Sequence, residues 1–276
     1  MSPGTDTNSG AVEARPLAGW RRSWQKIEDI ALPAAVFIAI IVVWAFAVRY
    51  YEIPAYLLPP PEDVLPRIGS SWTILWSHSL ITIQEILIGF GLSIVTAIPM
   101  GLLIALSPLA KRMLYPLLVF IQLVPKIAIA PLFVVWIGFG MASKVMLTLL
   151  LTFFPLLLAS IAGFQILDQR LLYLTRSMGA SFWQTFWYLR LPAAMPVIFG
   201  GLKTSATIAA TAAIVAEFVG ANKGLGFQLL QATGVMDTTM VFAILFMLTM
   251  IGLALNAIVE VAEYFMTPWR RGQSSK

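Results

Sequence analysis

The chain has no cysteine and a single histidine, His78. Disulfides and thiolate metal sites are therefore excluded, and one imidazole leaves too few ligands for a zinc-type centre. Charge is scarce as well: Asp, Glu, Lys and Arg make up 11% of the 276 residues, against roughly a quarter in an ordinary soluble domain. A Walker loop, a nucleophile elbow and a Gly-rich dinucleotide turn are also missing, so the chain is not expected to hydrolyse ATP itself. An intramembrane enzyme would need a paired catalytic constellation, and none is found.

What remains is mostly hydrocarbon, with 59% of residues hydrophobic. Several uncharged runs reach the ~20 residues that a helix needs to cross a bilayer. The chain is expected to be an all-α integral membrane protein with about six transmembrane helices, over about residues 30–48, 78–106, 114–139, 145–167, 193–216 and 238–260. Residues 1–29 read as a polar tail ending in a short interfacial helix, and residues 266–276 as a second tail. No short apolar core with a small-residue cleavage site precedes the first run, so it is taken as an uncleaved span. The segment "RYYEIPAYLLPPPEDVLPRIGSSW" has five prolines. It cannot be one helix, and reads as an outer loop with a short helix around residues 61–70. In the third run Pro125, Lys126 and Pro131 predict a kinked or discontinuous helix.

The net charge of +5 reports orientation. Of the 18 basic residues, twelve fall in the tails, the 107–112 turn and the 168–192 loop: Arg15, Arg21, Arg22, Lys26, Lys111, Arg112, Arg170, Arg176, Arg190, Arg270, Arg271 and Lys276. Arg49, Arg67, Lys144 and Lys223 fall on the opposite side, with Lys126 and Lys203 inside or at the edge of spans. The positive-inside rule places both termini and the 168–192 loop in the cytoplasm.

That loop, "RSMGASFWQTFWYLRLP" from Arg176 to Pro192, is unusually polar and aromatic for its surroundings. Leu174, Met178, Phe182 and Phe186 share one helical face with Trp183 and Leu189, while Arg176, Ser177, Ser181, Gln184 and Arg190 lie elsewhere. Gly179 supplies a stop for one short helix, and Ala180-Ser181 leads into a cap for the next, making an elbow. Such a segment either lies on the membrane surface with its aromatics among headgroups or docks on a partner.

Gly179, nine further residues and then Leu189-Arg190-Leu191-Pro192 resemble the cytoplasmic-loop signature of bacterial ABC importer permease subunits, with Leu189 where that pattern has Ile. Tyr173, Leu174 and Thr175 stand where it has Glu-Ala-Ala. "YLLPPPEDVL", "PKIAIAPLFVVWIGFG", "FFPLLLASIAG" and "AIVAEFVGANKGLGFQLLQA" are similar to the nitrate, sulfonate, taurine and bicarbonate branch. "PKIAIAPL" is nearer permeases for thiamine-type pyrimidine precursors, riboflavin or aromatic carboxylates. The resemblance covers roughly residues 30–265 and implies a type I ABC importer (MetI-like) permease fold in the bacterial inner membrane. It also implies a second permease copy, two cytoplasmic ATPase subunits that use ATP and Mg, and a periplasmic or lipid-anchored binding protein. This chain would hold no cofactor and bind no nucleic acid. Arg176, Ser177, Met178, Gly179, Ala180, Ser181, Phe182, Leu189, Leu191 and Pro192 would form the coupling loop that docks on the ATPase.

An ionisable group near the bilayer centre costs on the order of 3 kcal/mol on insertion scales. Lys126 lies 14 residues beyond Arg112, roughly 21 Å from the cytoplasmic side, and Glu85 lies 7 residues in from His78, about 10 Å from the outer side. A Lys126–Glu85 pair is expected to be within reach, and so is snorkelling of Lys126. The alternative is a part in solute passage for Lys126, Glu85, Gln122 and Glu217, with Lys126 a counter-charge for an anionic solute. Glu217 precedes "GANKGLG", either an exposed loop in which it pairs with Lys223 or a tight re-entrant turn at an outer gate. His78 reads as an interfacial residue at a helix start. The competing function is an ion-coupled secondary transporter using the intramembrane charges, though no internal repeat of the kind such carriers often contain is evident.

Overall fold

The computed structural model describes the backbone of residues 19–269 and the side chains of residues 31–269. Most of the N-terminal tail and residues 270–276 of the C-terminal tail lie outside the described residues. The chain divides into two units, the second beginning at Ala55. In the first, α1 (Gly19–Tyr50) is one continuous helix with Pro33 inside it. The separate interfacial helix expected before residue 30 is instead the start of the same helix that carries the first apolar run.

In the second unit, α2 (Pro61–Ser70) starts with proline at its first turn, Glu62 and Asp63 close behind and Arg67 in its last turn. Proline lacks the N–H that would be unsatisfied there, and the charges oppose the helix dipole at each end. It is followed by α3 (Trp72–Leu106) and α4 (Pro108–Leu123). Ser107 caps α4 by accepting from the Ala110 N–H at 3.2 Å. Pro125 then disfavours helical geometry at its predecessor, and Val124 is extended with ψ 131°. A short 3-10 turn, Lys126–Ile129, leads into α5 (Ala130–Ile137). The two halves are bent by 80°, so the third span is broken at the proline the sequence singles out.

The remaining elements are α6 (Met141–Gln165), α7 (Gln169–Ser177), α8 (Phe182–Thr185), α9 (Leu191–Gly220), α10 (Leu225–Gly234) and α11 (Thr238–Met266). Five helices are long and apolar enough to cross a membrane, and the count is six when the bent α4–α5 pair is taken as one broken span. This is the expected all-α membrane architecture.

Helix α6 sits between α3 and α9. Gly89, Ser93, Ala97 and Gly101 recur every fourth residue on α3 and are all buried, which puts them on one stripe of the helix. A Cβ on Gly89 would come 2.6 Å from Thr148 Cβ, and one on Gly101 2.5 Å from Ser160 Cβ. On the other side of α6, a Cβ on Gly201 of α9 would collide with Ala159. The Ser205 hydroxyl donates to the Thr152 carbonyl at 2.9 Å. Lipid is as apolar as leucine, so helices in a membrane are held by close van der Waals packing and by hydrogen bonds of this kind. The polar side chains in the seam are satisfied locally: Thr148, Thr152 and Ser160 each donate to a carbonyl one turn back.

Filling this seam should loosen the bundle. Gly201→Ala is expected to lower stability by about 1–3 kcal/mol through overpacking, read as a lower Tm of the detergent-purified protein. Ala159→Gly in the same chain should recover part of that loss; no recovery would show that the two residues do not share a contact.

Candidate functional site

The elbow is built by two consecutive caps. Helix α7 begins at Asp168, whose carboxylate accepts from the Arg170 N–H at 2.9 Å. It ends in a Schellman turn, with the Gly179 N–H donating to the Arg176 carbonyl and the Ala180 N–H to the Thr175 carbonyl, each at 3.0 Å. This closure requires a residue in the left-handed region at Gly179, whose φ is 77°. A Cβ there would meet nothing within 4 Å, so the backbone angle, not crowding, selects glycine. Ser181 then starts α8 with a full capping box: its hydroxyl accepts from the Gln184 N–H, and the Gln184 side chain accepts from the Ser181 N–H.

Helix α8 does not stop at Pro192. A π turn over Phe186–Arg190 carries it directly into α9. Pro192 has no N–H to return to the carbonyl one turn back, and the wider turn accommodates its ring. The Leu191 N–H accordingly reaches back to Phe186. The elbow is joined to the bundle by Phe186, which stacks on Phe164 at the end of α6, and by Arg190, which donates to the Phe164 carbonyl. Leu174, Met178, Phe182, Trp183, Trp187 and Tyr188 are all exposed. Of the face predicted over Leu174, Met178, Phe182 and Phe186, the first three point outward and Phe186 turns in against α6. Beneath the elbow a cavity of about 240 Å³ is lined by residues that include Arg176, Ala180, Phe182, Thr185 and Arg190.

A second polar constellation lies at the opposite end of α9. Helix α10 begins with Gly224, which has no side chain to cap the four N–H groups that a helix start leaves free. Other helices supply all four acceptors. The Gly224 N–H donates to His78 Nδ1 at 2.9 Å and the Leu225 N–H to Thr82 Oγ1 at 2.9 Å. The N–H groups of Gly226 and Phe227 both donate to Glu217 Oε2. Thr82 in turn donates to Glu217 Oε1 at 2.6 Å. With Nδ1 accepting, a neutral His78 carries its proton on Nε2, which lies 3.0 Å from the Gln228 side-chain amide. Glycine is required at both loop positions that touch the carboxylate. A Cβ on Gly224, where φ is 118°, would strike the Glu217 carboxyl group, and one on Gly226 would come 2.9 Å from Glu217 Cβ.

Glu85, which is 0% exposed, is ion-paired with Lys144, which is 5% exposed. This corrects the expected Lys126–Glu85 pair: the partner comes from the start of α6, where the sequence places Lys144 among outer-side residues. Glu217 is 1% exposed and spends its oxygens on Thr82 and the α10 amides, not on Lys223. Lys126 stands apart. Its ammonium donates to the Gln122 carbonyl at 2.8 Å and lies 4.7 Å from the centroid of the Phe154 ring. His78, expected as an interfacial residue, is a capping group. His78, Thr82, Lys144 and Gly224 are absent from the candidate site drawn from sequence. The visible signal for Lys144 was its place just ahead of a long uncharged run, and that for Gly224 was the glycine-rich "GANKGLG"; the threonine gave none, because its partners come from a distant part of the chain.

Comparison with known proteins gives a consistent family. The family model described as "Binding-protein-dependent transport system inner membrane component" matches residues 97–272. The chain is 36% identical over 254 residues to the formylaminopyrimidine transport permease protein ThiX of Halalkalibacterium halodurans, covering 92% of this chain and all of the relative. It is 34% identical to the riboflavin transport system permease protein RibX of Chloroflexus aurantiacus, over 90% and 94% of the two chains. Identity to the taurine transport system permease protein TauC of Escherichia coli is 28%, over 91% and 93%. A solved structure of the MetNI methionine ABC transporter in an inward-facing conformation shares the fold, with a TM-score of 0.54 and 19% identity over 71% of this chain and 97% of that one.

The cap of α10 predicts a local response. Glu217→Ala leaves the Gly226 and Phe227 amides without their acceptor, at a cost of about 1–3 kcal/mol for each group left unmet, while the Thr82 hydroxyl retains the His78 carbonyl 3.3 Å away. Hydrogen exchange at Gly226 and Phe227 should accelerate in the folded variant. Unchanged protection of those two amides would show that α10 is held by other contacts.

Proposed function

Because the chain belongs to the family of binding-protein-dependent transport system inner membrane components, the permease subunits of ABC importers, we propose that it forms the solute path of an importer driven through the 176–192 elbow. It is a multi-pass inner-membrane permease, and its relatives are transport proteins, not enzymes. Membership implies ATPase and binding-protein partners. In the proposed assembly two copies of this chain pair with two cytoplasmic ATPase subunits and receive solute from an external binding protein. Both termini face the cytoplasm. The ATPase subunits use ATP and Mg, and this chain holds no cofactor. The solute is a small organic molecule: a taurine-like sulfonate, a pyrimidine or vitamin precursor, or an aromatic carboxylate.

The observation that carries this reading is the elbow. It offers an exposed aromatic and apolar surface, Met178, Phe182, Trp183 and Tyr188 among its residues, on a turn fixed by a Schellman closure and a capping box. Surfaces of this composition are typical of docking sites for other proteins. Through the π turn the docked segment is continuous with α9, whose 30 residues extend about 45 Å. The same helix packs against α6 at Gly201 and ends at the Glu217 cap of α10. A push on the elbow by closing ATPase subunits is thus delivered by one helix to both the centre and the outer end of the bundle. The carboxylates that an ion-coupled carrier would employ are otherwise engaged, Glu85 by Lys144 and Glu217 by α10.

The test is ATP hydrolysis by the reconstituted complex of this chain with the ATPase subunit encoded beside it. Proline cannot adopt the positive φ of Gly179, so Gly179→Pro should leave the spans folded yet abolish ATPase stimulation or uncouple it from uptake. Native coupling in that variant would reject the elbow as the docking element. Failure of the unaltered chain to associate with an ATPase would reject the importer reading.

A further inference from the structure

Beyond Lys111 in the first turn of α4, which donates to Gln165, three described lysines lie within the membrane-spanning helices and the break between α4 and α5: Lys126, Lys144 and Lys203. Lys144 is paired with Glu85, and Lys203 lies 2.6 Å from Glu263. Among the described residues, no carboxylate comes within ion-pair distance of Lys126. Its ammonium is held by weaker partners. The Gln122 carbonyl belongs to the last turn of α4, whose free carbonyls and dipole favour a cation, and the Phe154 ring presents its π face.

The depth of this cation decides what it can meet. Phe154 stands 13 residues after Met141 and 11 before Gln165 in α6, at the middle of a membrane-crossing helix. An ammonium 4.7 Å from that ring centroid has not snorkelled to the headgroups, so a lipid phosphate is out of its reach. Among the described residues, a second copy of the chain has no carboxylate at that depth to offer either: Glu52, Glu62, Asp63, Asp168 and Asp237 stand outside the long apolar helices. Glu85 and Glu217 are sealed inside their own protomer, and Glu260 and Glu263 stand in the last two turns of α11, near its Met266 end. Lys126 is half-buried and keeps two of its three N–H donors beyond the bond to Gln122.

We propose that Lys126 is the mid-membrane counter-charge for an anionic group, a carboxylate or sulfonate, on the transported solute. This rests on the importer reading and narrows its solute class toward sulfonates and aromatic carboxylates and away from neutral pyrimidines and flavins. The 80° break falls at Pro125, immediately before Lys126. A continuous helix would carry Lys126 on a flank; the break places it where α4 ends, beside α6, with its chain turned back on Gln122.

The experiment uses the complete importer in proteoliposomes, with its own ATPase and binding protein. A panel of alkanesulfonates, aromatic carboxylates and neutral pyrimidines is screened for the compounds that the binding protein retains, and these are the uptake probes. The retained probes should be anionic. Lys126→Arg should keep uptake within about threefold of native, because the charge is retained. Lys126→Gln keeps a donor but loses the charge, and should reduce uptake on the order of 100-fold with assembly on the ATPase intact. Uptake of a neutral probe, or native uptake by Lys126→Gln, overturns the proposal.

Because the chain has no cysteine, Lys126→Cys provides a second measurement that needs no known cargo. A water-soluble sulfonate-bearing thiol reagent should label it within the assembled complex. Absence of labelling, or a spontaneous disulfide between two copies, would place residue 126 off the solute path and also overturn the proposal. Failure of the unaltered chain to bind an ATPase would remove the importer reading itself and this proposal with it, an outcome separate from any effect of residue 126.

Discussion

The start of α10 has no capping side chain of its own, and the organisation of that end of the bundle follows from that lack. Four backbone N–H groups, from Gly224 to Phe227, must find acceptors in a medium that supplies no water. His78 and Thr82 on α3 and Glu217 on α9 provide them. The glycines of "GANKGLG" let the backbone come close enough to the carboxylate, and a Cβ at Gly224 or Gly226 would prevent it. A buried glutamate with no cation of its own is thereby turned into a structural joint among three helices. The adjacent Glu85–Lys144 pair ties α3 to α6 at the same end.

The elbow end uses the opposite strategy. There the turns are capped locally, by Asp168, Gly179 and Ser181 with Gln184, so the elbow keeps its shape without the bundle. Phe186 and Arg190 anchor it against the end of α6. A self-capped elbow with few anchors can move as a unit, while the continuity of α8 with α9 ensures that its movement is not lost. Between the two ends, the small residues of α3, α6 and α9 bring backbones together over a long seam. Such a seam can slide but cannot swell without losing van der Waals contact.

Much of this was legible in sequence because it depends on neighbours in the chain. Apolar run length gave the spans, Pro125 the break in the third, and Gly179 with Ser181 the elbow. The Lys126–Glu85 pair was misjudged because equal depth along two helices says nothing about which faces they present to each other. Lys144 was read as an outer-side residue on its proximity to the end of a run, yet the first turns of α6 are wrapped by α3. Pro192 was read as the start of a new span, whereas a π turn lets the preceding helix run through it.

The sequence by itself determined that this is a membrane protein of about six spans, which run is broken and where the elbow turns, since each follows from local steric rules and from the expense of placing charge in hydrocarbon. Only the tertiary structure decided which buried charges meet. Glu85 found Lys144, Glu217 found three hydrogen-bond donors on other elements, and Lys126 was left with a carbonyl and a ring. Those outcomes depend on helix rotation and crossing, which the packing of Gly89, Gly101 and Gly201 against α6 sets and no linear pattern of charges records.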